Sequence, residues 1–143
     1  MHNFQVEAEK ARRRIGTLQT VLARELEKLA NEIMAESKKL CPVDTGTLRS
    51  SGLVQKPVIE GNMISVTLGY GDASCGYAVY VHENPRAGQT GGVSPSGRKY
   101  GAKRWARKGQ WKYLETPLVA RVNDFPRVVD YSLELVFKRL EGG

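Results

Sequence analysis

Cysteine and histidine are scarce: Cys41, Cys75, His2 and His82 are all that the 143 residues contain. They form no pair at metal-ligand spacing, which argues against a structural zinc site. Two cysteines behind a start, Met1 to Gln5, with no charged and then apolar leader read as reduced thiols, not as a disulfide framework. Long apolar runs are missing, and nothing approaches the ~20 residues that a membrane-spanning helix requires. The chain also lacks a Gly-x-x-x-x-Gly-Lys phosphate loop, a dinucleotide fingerprint, a Gly-x-Ser-x-Gly elbow and any internal repeat. Enzymatic chemistry is therefore the weaker expectation, and neither a cofactor nor a metal is expected.

Acidic residues are missing from one long stretch. Between Asn84 and Lys112 there is no Asp or Glu, but there are eight basic residues: Arg86, Arg98, Lys99, Lys103, Arg104, Arg107, Lys108 and Lys112. The whole chain carries +7, so the remainder is close to neutral. The same stretch holds six glycines, two prolines, Tyr100 and both tryptophans, Trp105 and Trp111. High glycine content and self-repulsion argue against a packed core there, so residues 84–112 read as a flexible basic insertion in a single domain spanning 1–143. Exposed tryptophan gains little without a partner to cover it, which marks the insertion as a binding loop. Lysine and arginine neutralise phosphate and aromatics stack on bases, but the same residues suit a protein–protein hot spot.

Along the rest of the chain the periodicity changes. Phe4, Ala8, Ala11, Ile15, Leu18, Leu22, Leu26, Leu29, Ile33 and Leu40 recur at helical steps, with Asn3 to cap the start and Cys41-Pro42 to stop the helix. A helix of that span is about 55 Å long at ~1.5 Å per residue, so part of it should overhang a small body and make subunit contacts. Gly16 is its weak point, where the turns holding Arg12, Arg13 and Arg14 could bend away. In Cys41-Pro42-Val43-Asp44-Thr45-Gly46-Thr47-Leu48-Arg49-Ser50-Ser51, Asp44 or Thr45 could cap a short helix and Gly46 permits a positive φ. Leu53–Glu60 and Met63–Gly69 read as a hairpin about Gly61-Asn62, with Pro57 at an edge or bulge. Alternation predicts a third strand at Tyr77–Glu83. Thr116 is expected to cap a helix with Pro117 in its first position, and Asp124 to cap the last helix. There Val129, Leu133, Val136, Phe137 and Leu140 form the apolar stripe, and Gly142 ends it. The fold class is α+β, with a long N-terminal and a C-terminal helix packed on a small antiparallel sheet.

One nucleophilic arrangement merits weighing. Cys75 and His82 lie seven apart, with Asp72 and Glu83 nearby, as a thiol hydrolase would need. A histidine among apolar neighbours is more often a hydrogen-bonded packing residue, so this reading ranks last.

Three motifs in order carry a resemblance. They are Cys-Pro-Val-Asp-Thr-Gly-Thr-Leu-Arg-Ser-Ser at 41–51, Tyr-Ala-Val-Tyr-Val-His-Glu-Asn at 77–84, and Lys-Tyr-Leu-Glu-Thr-Pro-Leu at 112–118. Behind a long N-terminal helix, this set resembles the neck or tail-completion family of tailed bacteriophages and prophages. Its members are small head–tail joining proteins, often labelled minor capsid or minor tail proteins. The resemblance covers the chain outside 85–111 and rests on Asp44, Thr45, Gly46, Leu48, Arg49, Tyr77, Tyr80, Glu83, Leu114 and Pro117. It implies a non-enzymatic virion protein, assembled in the host cytoplasm and acting as a homo-oligomeric ring. It also implies contacts with neighbouring connector or tail proteins; the basic loop, outside the resemblance, suits by its charge either packaged DNA in the channel or an acidic neighbouring ring. The alternative is a free-standing, non-specific DNA- or RNA-binding protein.

Overall fold

A computed structural model describes residues 4–43, 46–71, 76–85, 92–93, 99–100 and 109–142. Helix α1 runs without interruption from Phe4 to Leu40, so Gly16 does not break it. Its C-terminal part forms the spine of the body, burying Val21, Leu29, Ile33 and Met34. Residues 4–17 are exposed throughout and project beyond the body, as the length of the apolar stripe predicts.

After α1 the chain turns through Gly46, whose φ of 87° lies in the left-handed region that favours glycine. Gly46 itself, and neither Asp44 nor Thr45, stands at the cap position of α2 (Thr47–Ser50). Arg49 then donates from Nη2 to the Cys41 carbonyl at 3.1 Å, satisfying an acceptor beside the end of α1.

The expected hairpin is present but interrupted. Strands β1 (Leu53–Val54) and β4 (Leu68–Gly69) pair antiparallel, and β2 (Val58–Glu60) pairs with β3 (Met63–Ser65) around the Gly61-Asn62 turn. Between the ladders, residues 55–57 face only 66–67, so one strand holds an extra residue. Pro57 sits in that bulge, where its missing N–H costs no ladder bond. Ile64, Val66 and Leu68 are half-buried and alternate with exposed neighbours, as expected.

The third strand is not a strand. Ala78–Glu83 is helical (α3) and buries Ala78 and Val81, three apart, against the body. β-branched Val79 and Val81 and the alternation with tyrosines favour a strand locally, but among the described residues the segment has no strand to pair with and tertiary packing prevails. Strands β5 (Gly92–Val93) and β6 (Lys99–Tyr100) form a separate antiparallel pair.

Helix α4 spans Glu115–Ala120, with Leu114 and not Thr116 at its cap. Pro117 is therefore the third helical residue, still inside the first turn where an N–H has no helical acceptor. A 3₁₀ turn (Val122–Asp124) leads into α5 (Phe125–Glu141), with Pro126 in its second position. Asp124 occupies the cap but makes no side-chain capping bond. Its carboxylate instead meets Arg121 at 3.3 Å, and Arg121 also pairs with Glu32 of α1.

α5 packs along α1. Its buried face is centred on Ser132 and Val136, with Val128, Leu133 and Leu135 half-buried. The expected stripe is thus displaced: Val129, Phe137 and Leu140 lie on the exposed side. The fold is α+β, with two major helices and small antiparallel strand pairs.

Candidate interaction surfaces

The three motifs, distant in sequence, converge on one hub. Leu48 from the first, Ala78 and Val81 from the second and Tyr113 from the third form a buried cluster with Cys41. Leu40, Tyr70 and Leu114 pack against its edge. Tyr113 is 1% exposed and donates its hydroxyl to the Ala78 carbonyl at 2.9 Å. Tyr70 and His82 each meet its ring edge-to-face at 5.0 Å between centroids. The Tyr70 hydroxyl shares a 2.9 Å hydrogen bond with Ser37, and burial pushes its pKa up to about 12. Leu48, Leu114 and buried Pro117 are therefore packing residues, whereas Tyr77 and Tyr80 are substantially exposed. Tyr113 and Tyr70 were not singled out from sequence. Tyr113 lies inside the third motif, beside the Leu114 that was.

Next to the hub lies a charged clamp. Lys112 bridges Glu83 at 2.7 Å and Glu115 at 2.8 Å, and its backbone N–H donates to the His82 carbonyl at 2.8 Å. Glu83 is held below the usual carboxylate range, first by its hydrogen bond to Lys112 and then by that to His82. Lys112 is held above the usual ammonium value by its bonds to Glu115 and Glu83. His82 lies 2.6 Å through Nδ1 from Glu83, while Nε2 accepts the Glu115 N–H at 3.3 Å. The imidazole thus satisfies the first donor of α4, which is consistent with a proton on Nδ1. Lys112 adopts a φ of 53°, uncommon for a residue with a side chain, and these contacts on both backbone and ammonium hold it there. His82, Glu83 and Glu115 are close enough together to ligate a metal ion. The Lys112 ammonium already lies between the two carboxylates, supplying the positive charge a metal would bring.

Of the basic segment, Lys112 is engaged in this clamp and Trp111 is exposed beside it, 5.8 Å from the Lys112 ammonium. Lys99 and Tyr100 belong to β6. Arg86, Arg98, Lys103, Arg104, Trp105, Arg107 and Lys108 lie outside the described residues, as do Asp44, Thr45, Asp72 and Cys75. The segment rejoins the body at Gly109, with φ 125°, directly over Cys41-Pro42. Gln110 N–H then donates to the Leu40 carbonyl at 2.7 Å.

Among the described residues, two of the exposed apolar surfaces lie on the major helices. One is the projecting end of α1, where Phe4 is 83% and Ile15 56% exposed. The other is the outer side of α5, where Phe137 is 59% exposed beside Val129 and Leu140. A groove of about 250 Å³ between α1 and α5 is lined largely by charge, including Glu25, Glu32, Arg121 and Asp124. No family model, curated protein or solved structure matches the chain. No helix among the described residues is long and apolar enough to cross a membrane.

Proposed function

We propose that the chain is a non-enzymatic structural subunit of a tailed phage or prophage virion, acting in head–tail joining or tail completion within a homo-oligomeric ring. The observation that carries this reading is the projecting helix. Residues 4–17 form helical, amphipathic structure that the rest of the chain leaves exposed at every position. Isolated helices of that length are marginal in water, so a protein retains one where another surface completes it. Repeating the same contact around a closed ring leaves none of these faces open. The convergence of the three family-like motifs on one hub supports the same reading, because it gives them a common structural role. The basic segment then faces either the DNA passage or an acidic neighbouring ring.

Sedimentation and negative-stain imaging of the purified chain test this. Closed rings are expected, and a phage lacking the protein should accumulate unjoined heads and tails. A chain that stays monomeric at high concentration, even beside assembled heads or tails, refutes the proposal. Retained binding of such a monomer to generic duplex would favour the nucleic-acid-binding alternative.

A further inference from the structure

We infer that the subunit boundary is made by the projecting end of α1 lying along the outer side of α5 of a second copy of this chain. This rests on the homo-oligomer reading above and names the surfaces that would build it. Four observations support the pairing.

The projecting end cannot cover itself, because α1 is one continuous helix and its first turns point away from the body. Its apolar stripe is Phe4, Ala8, Ala11 and Ile15, at steps of four, three and four. The stripe on α5 matches it in length: Phe4 to Ile15 spans eleven residue steps, as does Val129 to Leu140. Each is about 16 Å long at ~1.5 Å per residue. The small Ala8 and Ala11 at the centre leave room for the bulky Phe137 of the partner face.

The charges bordering the stripes are opposite. Arg12 and Arg14 flank the α1 stripe on its two sides, while Asp130, Glu134 and Glu141 border the α5 stripe. None of these five forms an ion pair within the protomer among the described residues. Nearby Lys10 and Arg13 do, with Glu7 and Glu9 at 3.2 and 3.4 Å. The charges left over on the projecting end of α1 and along the border of the α5 stripe are therefore complementary, while Lys138 and Arg139 of α5, also without an ion pair among the described residues, fall off that stripe on the helical wheel. Because donor and acceptor surfaces differ, the contact is head-to-tail, the kind that closes into a ring when its rotation permits.

A charge-swap experiment on the full chain tests this. One variant carries Arg12→Glu with Arg14→Glu, the other Asp130→Arg with Glu134→Arg. All four positions are exposed, and circular dichroism checks that both variants fold. Each alone should fall to the mass of one chain, 15.9 kDa, at concentrations where the wild type is oligomeric. Mixed in equal amounts they should reassociate, because each then meets the opposite charge. Either variant keeping the wild-type mass, or a mixture that stays dissociated, overturns this interface and leaves the oligomer reading intact. A wild type that is itself monomeric overturns both.

Discussion

Replacing Gly109 by alanine should be among the most damaging single-methyl changes available to this chain. A Cβ built there would lie 2.4 Å from the Pro42 Cα, 2.5 Å from the Pro42 nitrogen and 3.0 Å from the Cys41 carbonyl carbon. All three are backbone atoms, fixed by the end of α1, and cannot rotate aside as a flexible side chain could. The φ of 125° adds a second penalty, of order 1–3 kcal/mol for a residue with a side chain. Forcing a methyl into occupied space typically costs a further ~1–3 kcal/mol. The total, about 2–6 kcal/mol, corresponds to a melting temperature lower by roughly 6–20 °C for a domain of this size. Thermal unfolding followed by circular dichroism reads it directly. Gly16→Ala is the matched control: no neighbouring atom comes within 4 Å, and removing a helix-interior glycine should stabilise by ~0.5–1 kcal/mol. A Gly109→Ala protein melting within a degree of wild type would show that the return of the basic segment does not depend on close approach to Pro42.

Tyr113→Phe removes a buried donor to the Ala78 carbonyl while keeping the ring, and should cost about 1 kcal/mol in chemical denaturation with α3 the first element to lose amide protection. Gly46→Val places a branched residue at φ 87° and should destabilise by more than ~1 kcal/mol in the same assay. The clamp should loosen at acid pH and the hub at alkaline pH. The depressed Glu83 contributes stability above its unfolded pKa that is lost as pH falls through the folded value, and Glu83→Gln should flatten that acid limb. For Tyr70, raised from 10.0 to about 12, the contribution is intact below pH 10 and is lost as pH climbs toward 12. Phenolate absorbance should accordingly show a late-titrating component that Tyr70→Phe reduces.

The bounds of α1 were legible because its stripe recurs over ten helical turns and a proline stops it, so local and tertiary signals agree. The hairpin was legible from Gly61-Asn62, and even its bulge from Pro57. What sequence could not weigh was the competition between local preference and available partners. Tyr77–Glu83 alternates like a strand, yet packing against Tyr113 rewards Ala78 and Val81 at helical spacing. On α5, apolar residues cover more of the circumference than α1 can bury, and nothing in the pattern told which would remain outside. Val129, Phe137 and Leu140 belong to the apolar stripe and lie at the surface. The clamp was hidden for a different reason. Glu83 and Lys112 stand 29 positions apart, and nothing in His82-Glu83 says that the partner belongs to the far stem of the basic segment.

That meeting of stems has a topological consequence. His82-Glu83 and Lys112 are joined by a main-chain hydrogen bond and an ion pair, so the chain departs and returns at one place. The stems are thus held to each other directly, whatever length of chain runs between them, so that the intervening sequence can vary as a cassette. Residues 86–108 could be shortened, exchanged for those of another chain or opened by a nick without parting the surfaces that hold α3 to α4. Selection can therefore retune what this cassette meets while leaving the scaffold's geometry untouched.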